Sequence, residues 1–358
     1  AIYGSRASGG VVMITTKRGK SGTKGKLEYS YTTGINQVSK KVKLLDSNQF
    51  LQLLVDGRNG TYRDLVESNT SLTWNDNMMS DNNATRVARV GNANAVQIDP
   101  RYYDFANQKV IPSKYNTDWQ DLIYRNAFFG RHNVSFSGGT DNIRYYMSGG
   151  YQDQDGVVLN TGVKKINLRM NLDATINPRL KAGVNLSYTN NQNRELSEGR
   201  WDHNPIMTAL LMPPSAQPFD SNGHPLKNEI AALSATYGYN SFENPIAQAK
   251  EINITRKGNR SNYNAYAIYT LLPELTFKAN VGMMSYSEKY NYYYPTSLSS
   301  GVSAPYSENA KAAANGIAQN QTVLDQLAEF TLNYNKRFGK HSISGLAGYS
   351  AQMNTTDL

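Results

Sequence analysis

The chain of 358 residues contains no cysteine, which excludes disulfide staples and cysteine-based metal centres and suits an oxidising compartment. It also lacks any apolar run approaching the roughly 20 residues that a membrane-crossing helix requires. Histidine is scarce: His132, His203, His224 and His341 share no i,i+3 or i,i+4 spacing, so they do not form a zinc-binding pattern. No Ser-His-Asp set and no nucleophile elbow is present. Hydrophobic residues make up 39% of the chain and the mean hydropathy is −0.58, a polar composition overall. The net charge of +9 is spread along the sequence. Its dense clusters are confined to residues 17–26 and to Lys40, Lys41 and Lys43, so the basic stripe of a nucleic-acid binder is missing. Tyrosine, in contrast, is abundant at 25 residues, and its apolar ring with a polar tip suits membrane interfaces and sugar-binding surfaces.

What the chain does contain is alternation. Between residues 166 and 176, Ile166, Leu168, Met170, Leu172, Ala174 and Ile176 alternate with Asn167, Arg169, Asn171, Asp173 and Thr175. A turn at Asn177-Pro178-Arg179 follows, after which Leu180, Ala182, Val184, Leu186 and Tyr188 alternate with Lys181, Gly183, Asn185, Ser187 and Thr189. Strand side chains repeat every two residues, so each run has one apolar and one polar face. Similar runs cover 27–33, 132–137, 143–152, 263–271, 275–286, 324–335 and 342–351, about nine staves in all. Several reach the roughly 9–11 residues that a tilted strand needs to cross a bilayer.

The connections are lopsided. Tight turns at 138–142, 177–179, 272–274 and 337–340 alternate with a medium loop at 153–165 and long loops at about 34–130, 191–259 and 290–321. Short turns on one side and long loops on the other are characteristic of an antiparallel transmembrane β-barrel. Single-chain bacterial barrels close with an even number of strands, so about nine staves predict a part of something larger. The first long loop predicts a helix over 44–55, capped by Asp46 or Ser47 with Phe50, Leu51 and Leu54 as its apolar stripe, and a short helix over 118–124. Residues 11–16 are apolar on both faces and predict a buried strand of a mixed sheet.

Several motifs resolve into ordinary chemistry. Gly19-Lys20-Ser21-Gly22-Thr23-Lys24-Gly25-Lys26 lacks the Ser or Thr that a phosphate loop places after its lysine, and reads as a flexible basic hinge. Asp153-Gln154-Asp155-Gly156 and Asp220-Ser221-Asn222-Gly223 lack the full ligand set and distal Glu of a calcium loop, and read as turns. Glu195 and Glu198 read as solvated loop carboxylates. No metal, cofactor or catalytic residue is expected. Two loop clusters carry contact chemistry. The first joins Arg200, Trp201, Asp202, His203 and Asn204 to Tyr237 and Tyr239, a stacking face beside bidentate hydrogen-bonding groups. The second is Tyr290, Tyr292, Tyr293 and Tyr294 ahead of Pro295, where a membrane girdle is the plainer reading. Tyr31, Tyr151, Tyr188 and Tyr263 are assigned to the outer girdle.

The opening Ala1-Ile2-Tyr3-Gly4-Ser5-Arg6-Ala7, followed by Gly9-Gly10-Val11-Val12-Met13-Ile14-Thr15-Thr16-Lys17-Arg18-Gly19-Lys20, resembles the end of the plug domain in SusC/RagA-type TonB-dependent outer-membrane transporters of Bacteroidetes. Asn116-Thr117-Asp118-Trp119-Gln120-Asp121 with Asn133-Val134-Ser135-Phe136-Ser137-Gly138-Gly139 resembles that family's approach to its second stave. Asn333-Tyr334-Asn335-Lys336-Arg337-Phe338-Gly339-Lys340-His341 resembles a later turn. The resemblance implies a plugged barrel of about 22 strands, a SusD-like surface lipoprotein as lid, and energy from the TonB-ExbB-ExbD complex. It places the chain in the outer membrane as an internal piece, with residues 1–20 closing the plug and 21–358 starting the barrel. It also makes the three long loops extracellular.

These readings combine into an expected non-enzymatic role: active import of an oligosaccharide, or of a peptide by the same route. Arg200, Trp201, Asp202, Asn204, Tyr237 and Tyr239 are expected to touch cargo or lid. Glu28, Arg144, Arg169, Asp173, Lys181 and Lys278 are expected to face the lumen, and the opposite face to meet lipid. On that basis Asn171→Ala is expected to cost little. The competing readings are a passive porin-like channel, which needs no plug ending, a soluble carbohydrate-binding β-protein, and a surface enzyme.

Overall fold

The computed structural model describes residues 16–69, 71–198 and 203–358. The strand expected over 11–16 lies outside them, Thr16 apart. Nine strands form one antiparallel sheet: β1 (Thr23–Asn36), β4 (Ala127–Gly139), β5 (Ile143–Asp155), β6 (Gly162–Asn177), β7 (Leu180–Glu195), β8 (Asn253–Leu272), β9 (Leu275–Tyr294), β10 (Asn315–Phe338) and β11 (His341–Asp357). Each pairs with its neighbour in chain order, an up-and-down meander left open at β1 and β11. β2 (Tyr103–Asp104) and β3 (Lys109–Val110) form a separate two-stranded ribbon in the first long loop.

All nine expected staves are present, but most are longer than the alternation predicts. β7 continues through Asn190 to Glu195, β8 begins at Asn253, and β10 begins at Asn315. The long connections shrink accordingly to 37–126, 196–252 and 295–314. The added segments, such as Asn190-Asn191-Gln192-Asn193, are polar on both faces. No apolar period marks them, because neither face meets hydrocarbon. Their ladder hydrogen bonds hold them instead.

The apolar face is the exposed one. Leu27 is 69% exposed, and Phe136, Met147, Leu168, Leu186, Val281 and Phe330 are also open on the same side. The four expected girdle tyrosines, Tyr31, Tyr151, Tyr188 and Tyr263, share that face. A soluble sandwich would cover such a face with a second layer. Here no second layer covers it among the described residues.

The long connections fold into a layer over one end of the sheet. The first helix, α1 (Ser47–Glu67), has Asp46 at its N-cap in a reciprocal capping box with Gln49. It runs 12 residues beyond the expected end at Val55, because Leu51, Val55, Tyr62 and Val66 stay on one buried stripe past Gly57 and Gly60. α2 (Asn83–Val90) brings Arg86 into a fully buried position over the rings of Tyr62, Phe105 and Tyr103, where it donates to the carbonyls of Asp81 and Met79 at 2.9 and 3.0 Å. A single turn, α3 (Ala93–Val96), follows α2, and α4 (Trp119–Ile123) matches the second expected helix and is capped by Asp118. It packs with α5 (Pro205–Leu211), α6 (Glu229–Tyr237) and α7 (Pro245–Glu251) around Trp119, Ile123, Ala209, Phe242 and Ile246. The Trp119 indole donates to the Pro213 carbonyl at 2.9 Å, tying the first long connection to the next. Among the described residues no helix is long and apolar enough to cross a membrane, which says nothing of strands.

Two outcomes follow from this packing. Leu168→Arg, central on the exposed apolar face, is expected to destabilise the folded barrel in lipid vesicles by about 2–4 kcal/mol, whereas the exposed polar-face change Arg169→Gln stays within about 0.5 kcal/mol. Equal effects in a urea titration would contradict the assignment of faces. Burial in the loop layer holds the Glu229 carboxyl above the usual carboxylate range, against the backbone hydrogen bond from Gln217 and the nearby Arg101 charge. A raised folded-state value contributes stability that is full below the ordinary glutamate pKa and is lost as pH rises through the folded value. Glu229→Gln is therefore expected to flatten the fall in loop-layer stability above the ordinary value, read as protease resistance of the loops against pH.

Candidate functional site

Register alone collects the six expected lumen residues. Arg144 pairs with Asp173 and Asp173 with Gly183, two positions from Lys181. Lys181 pairs with Ile268 and Ile268 with Lys278. Glu28 pairs with Ser135, on the parity that joins Arg144 through Gly139, and Arg169 lies four residues from Asp173. All six therefore share the sheet face opposite Leu27 and Leu168.

The residues just before β1 are docked on this face. The Asn171 amide donates to the Lys17 carbonyl at 2.7 Å and reaches the Thr16 hydroxyl at 3.4 Å. Arg18 forms an ion pair and hydrogen bond with Asp173, and donates to the Tyr266 hydroxyl at 3.2 Å. Arg144 completes the pairing of Asp173 at 3.3 Å, and Tyr266 also donates to that carboxylate. Asp173 is only 6% exposed and Asn171 only 3%, so the expectation that Asn171 is a lightly held wall residue is corrected. Two glycines permit these close approaches. A Cβ on Gly183 would lie 2.6 Å from the Tyr266 ring, and one on Gly19 would strike the Gly138 carbonyl at 2.2 Å. The linker read as a free hinge is thus pinned at its first residues. Sequence reasoning missed Lys17, Arg18 and Tyr266, because their partners lie 93 to 248 residues away and no spacing links them.

Above this cluster the wall is a relay of amides. Asn185 donates to Asn264 at 3.1 Å, Asn264 to Asn280 at 2.8 Å, and Asn280 to Glu329 at 2.9 Å. At the loop end Arg256 bridges Glu195 at 3.0 Å and Glu288 at 2.5 Å and covers the Tyr290 ring at 4.8 Å, while Arg260 covers Tyr286 at 5.2 Å. Glu195 is therefore a paired wall residue and not a solvated loop carboxylate. An open hollow of about 430 Å³ beside this cluster is lined by Glu195, Arg256, Tyr290, Tyr292 and Asn315.

Of the loop cluster expected to touch cargo or lid, the described members Asn204, Tyr237 and Tyr239 are engaged within the chain. Arg200, Trp201 and Asp202 lie outside the described residues. The Asn204 side chain caps α5, accepting from the amides of Ile206 and Met207 at 3.0 and 3.3 Å, so its oxygen is engaged within the chain. Tyr239 is 9% exposed and belongs to the Trp119 core, and burial raises its phenol above the ordinary value. It offers no open stacking face. Tyr237 is half-buried and packs edge-on against Tyr239 with ring centroids 6.5 Å apart. The second tyrosine cluster splits by parity: Tyr293 is exposed on the apolar-face side, whereas Tyr290, Tyr292 and Tyr294 pack with Ala247, Ile252 and Leu298. Those three seat the loop layer rather than a girdle. Asp220 accepts from the amides of Asn222 and His224, both at 2.8 Å, in a tight turn, and Asp153 and Asp155 pair with Lys164 and Arg125.

No family model matches the chain. It is 28% identical over 98% of its length to TonB-dependent receptor P3 of Formosa agariphila, covering 29% of that protein. It is 26% identical over 79% of its length to TonB-dependent receptor SusC of Bacteroides thetaiotaomicron, covering 25% of it. The chain thus spans under a third of the length of these relatives. Among solved structures, the RagAB peptide importer in its closed-closed state superposes with a TM-score of 0.67 at 22% identity, over 99% of this chain and 38% of that one. A shared sheet and an alignment spanning 98% of the chain place it among the SusC/RagA-type TonB-dependent receptors of Bacteroidetes, which are proteins of the outer membrane.

Proposed function

We propose that the chain is the start of the wall of an active importer for oligosaccharides, driven by the TonB-ExbB-ExbD complex and capped by a SusD-like lipoprotein. The observation that carries this reading is the docking of residues 16–18 on the polar face, through Asn171 and Asp173. A segment arriving across the wet side of the sheet is what a plug ending requires, and a passive porin has no need of it. In this reading residues 1–20 close the plug and 21–358 begin the barrel. Glu28, Arg144, Arg169, Asp173, Lys181 and Lys278 face the lumen.

The wall chemistry favours a neutral, hydroxyl-rich cargo. Amides such as Asn185, Asn264 and Asn280 present donors and acceptors without net charge, and the charged groups at the loop end are largely paired among themselves. Tyr286 and Tyr290 add ring surfaces of the kind sugars stack upon. Peptide cargo is the second reading, favoured by the shared fold with the RagAB peptide importer. A lid finds a surface in the exposed Val42, Leu44, Leu45 and Leu211 of the loop layer, which border a groove of about 650 Å³. Arg200, Trp201 and Asp202 stay within the proposal as cargo or lid contacts.

Two outcomes test this reading. In a strain lacking the full-length gene, plasmid-borne wild type is expected to restore growth on an oligosaccharide from a glycan panel only when TonB is present. Restoration without TonB, or conductance of the purified protein in planar bilayers without a lid, would establish a passive channel. Asp173→Asn with Asn171→Ala is expected to free residues 16–18 at a cost of about 1.5–3 kcal/mol for the charged hydrogen bonds. Trypsin should then cleave at Lys17, Arg18 or Lys20 at least tenfold faster while the strands stay intact, and unchanged cleavage would contradict the anchor.

A further inference from the structure

Beyond the loop-end limit of the apolar band, the outward face of β6 to β9 carries Lys164, Arg194, Lys257 and Lys289 and not one carboxylate. The register sets three of them on one line across the strands: Lys164 pairs with Gln192, Gln192 with Lys257, and Lys257 with Lys289. Arg194 occupies the next outward position on β7. The inward face at the same height holds the acids, Glu195 and Glu288, each engaged by Arg256. Lys164 reaches one carboxylate, Asp153 of β5, at 3.2 Å. Lys257 and Lys289 stand directly opposite each other, with no acidic partner within 4.0 Å among the described residues. Like charges directly opposed across a ladder destabilise a sheet unless an anion lies between them.

Below this line lies a concave apolar hollow on the lipid-facing side. It is bordered by Val134, Phe136, Met147, Leu168, Tyr188 and Tyr263, and has a volume of about 470 Å³. Gly149 forms its floor, because the neighbouring Leu168 and Val134 methyls, 3.4 and 3.7 Å from where a Cβ would stand, are the nearest side-chain atoms. From Lys257 to Tyr263 is six residues, roughly 20 Å of strand. After strand tilt of about 40° this leaves the cations near the phosphate level of the outer leaflet and the hollow within its hydrocarbon.

The geometry points to a binding site for a phosphate-bearing outer-leaflet lipid, with its acyl chain in the Gly149 hollow and its phosphate on Lys257, Lys289 and Lys164. The inference rests on the outer-membrane placement and is independent of the import reading. Charge complementarity selects the occupant. A zwitterionic lipid leaves the opposed Lys257 and Lys289 uncompensated, whereas an acidic one supplies the anion that this pair lacks.

The test uses the full-length protein inserted in vesicles of equal parts phosphatidylglycerol and phosphatidylcholine, released gently and weighed by native mass spectrometry. Wild type is expected to retain phosphatidylglycerol preferentially, and each of Lys164→Gln, Lys257→Gln and Lys289→Gln to lower the ratio of the two lipids by about fivefold. Gly149→Leu is expected to halve the total lipid retained, or reduce it further, without changing the ratio. Excess inorganic phosphate should leave the retained lipid in place. No preference in wild type, an unchanged ratio in the lysine variants, or displacement by free phosphate would overturn the site. Should one lysine variant fail to fold, the other single variants give the same reading. Loss of heat-modifiable migration in wild type itself would count instead against the membrane placement.

Discussion

Nearly every residue of a chain crossing hydrocarbon carries a donor and an acceptor that the solvent cannot satisfy, and from β4 to β10 the neighbouring strands satisfy both. Much of the architecture is a consequence of that demand. Continuous pairing from β1 through β11 forbids irregular backbone within the sheet, so insertions collect at the strand ends. The two-residue period of a paired strand then sorts side chains rigidly. If Leu168 meets lipid, Asn167, Arg169 and Asn171 must look the other way, and a one-residue slip would reverse every stave. The polar face is therefore fixed by what the apolar face must do.

A polar face inside a barrel has to be wetted or covered, and the lower part of this one is covered by the chain itself. Asp173 would be a costly group to bury alone, yet Arg18, Arg144 and Tyr266 surround it with a full set of donors. Pairing of this sort is stringent in one direction, since removing a single member leaves a buried charge unmatched. The contact fixes residues 16–18 against the sheet. Higher up, the amides of Asn185, Asn264 and Asn280 satisfy one another in sequence and end on the Glu329 carboxylate.

The parts of this fold legible in the sequence are those where hydrocarbon imposes a period. Ile166 to Ile176 announces a stave because each second residue is apolar, and the same logic places Lys181 and Lys278 on one face despite nearly 100 intervening residues. The sequence is silent where both faces are wet: Asn190 to Glu195 is strand, yet it reads as loop. The loop layer was half legible. Asp46 with Gln49 marks the start of α1, and Asn204 ahead of Pro205 is a local helix-start signal that points to its capping role, but nothing local indicates that Tyr239 is consumed by packing, because its partners come from other loops. Arg18 was hidden for the same reason, inside a Gly- and Lys-rich stretch whose composition suggests mobility while its first residues are pinned. Pairwise contacts across 150 residues leave no trace in a single sequence.

The extension of the staves beyond the bilayer gives the loop layer a rigid seat. Tyr290, Tyr292 and Tyr294 project inward from β9 and pack on Ala247, Ile252 and Leu298, so the hydrophobic core of the loops is continuous with the sheet. Glu243 strengthens the joint: its carboxylate accepts from the amides of Asn228, Asn244 and Ser299 and from the Ser299 hydroxyl, binding the second long connection to the third. Glu251 does likewise through Lys227 and Ser297. Loops held this way are positioned by the barrel rather than tethered to it. A partner resting on their exposed leucines would meet a surface whose shape is set by strand register, and the same apolar period that places Leu168 in lipid would reach, through β9, to the outermost contact of the molecule.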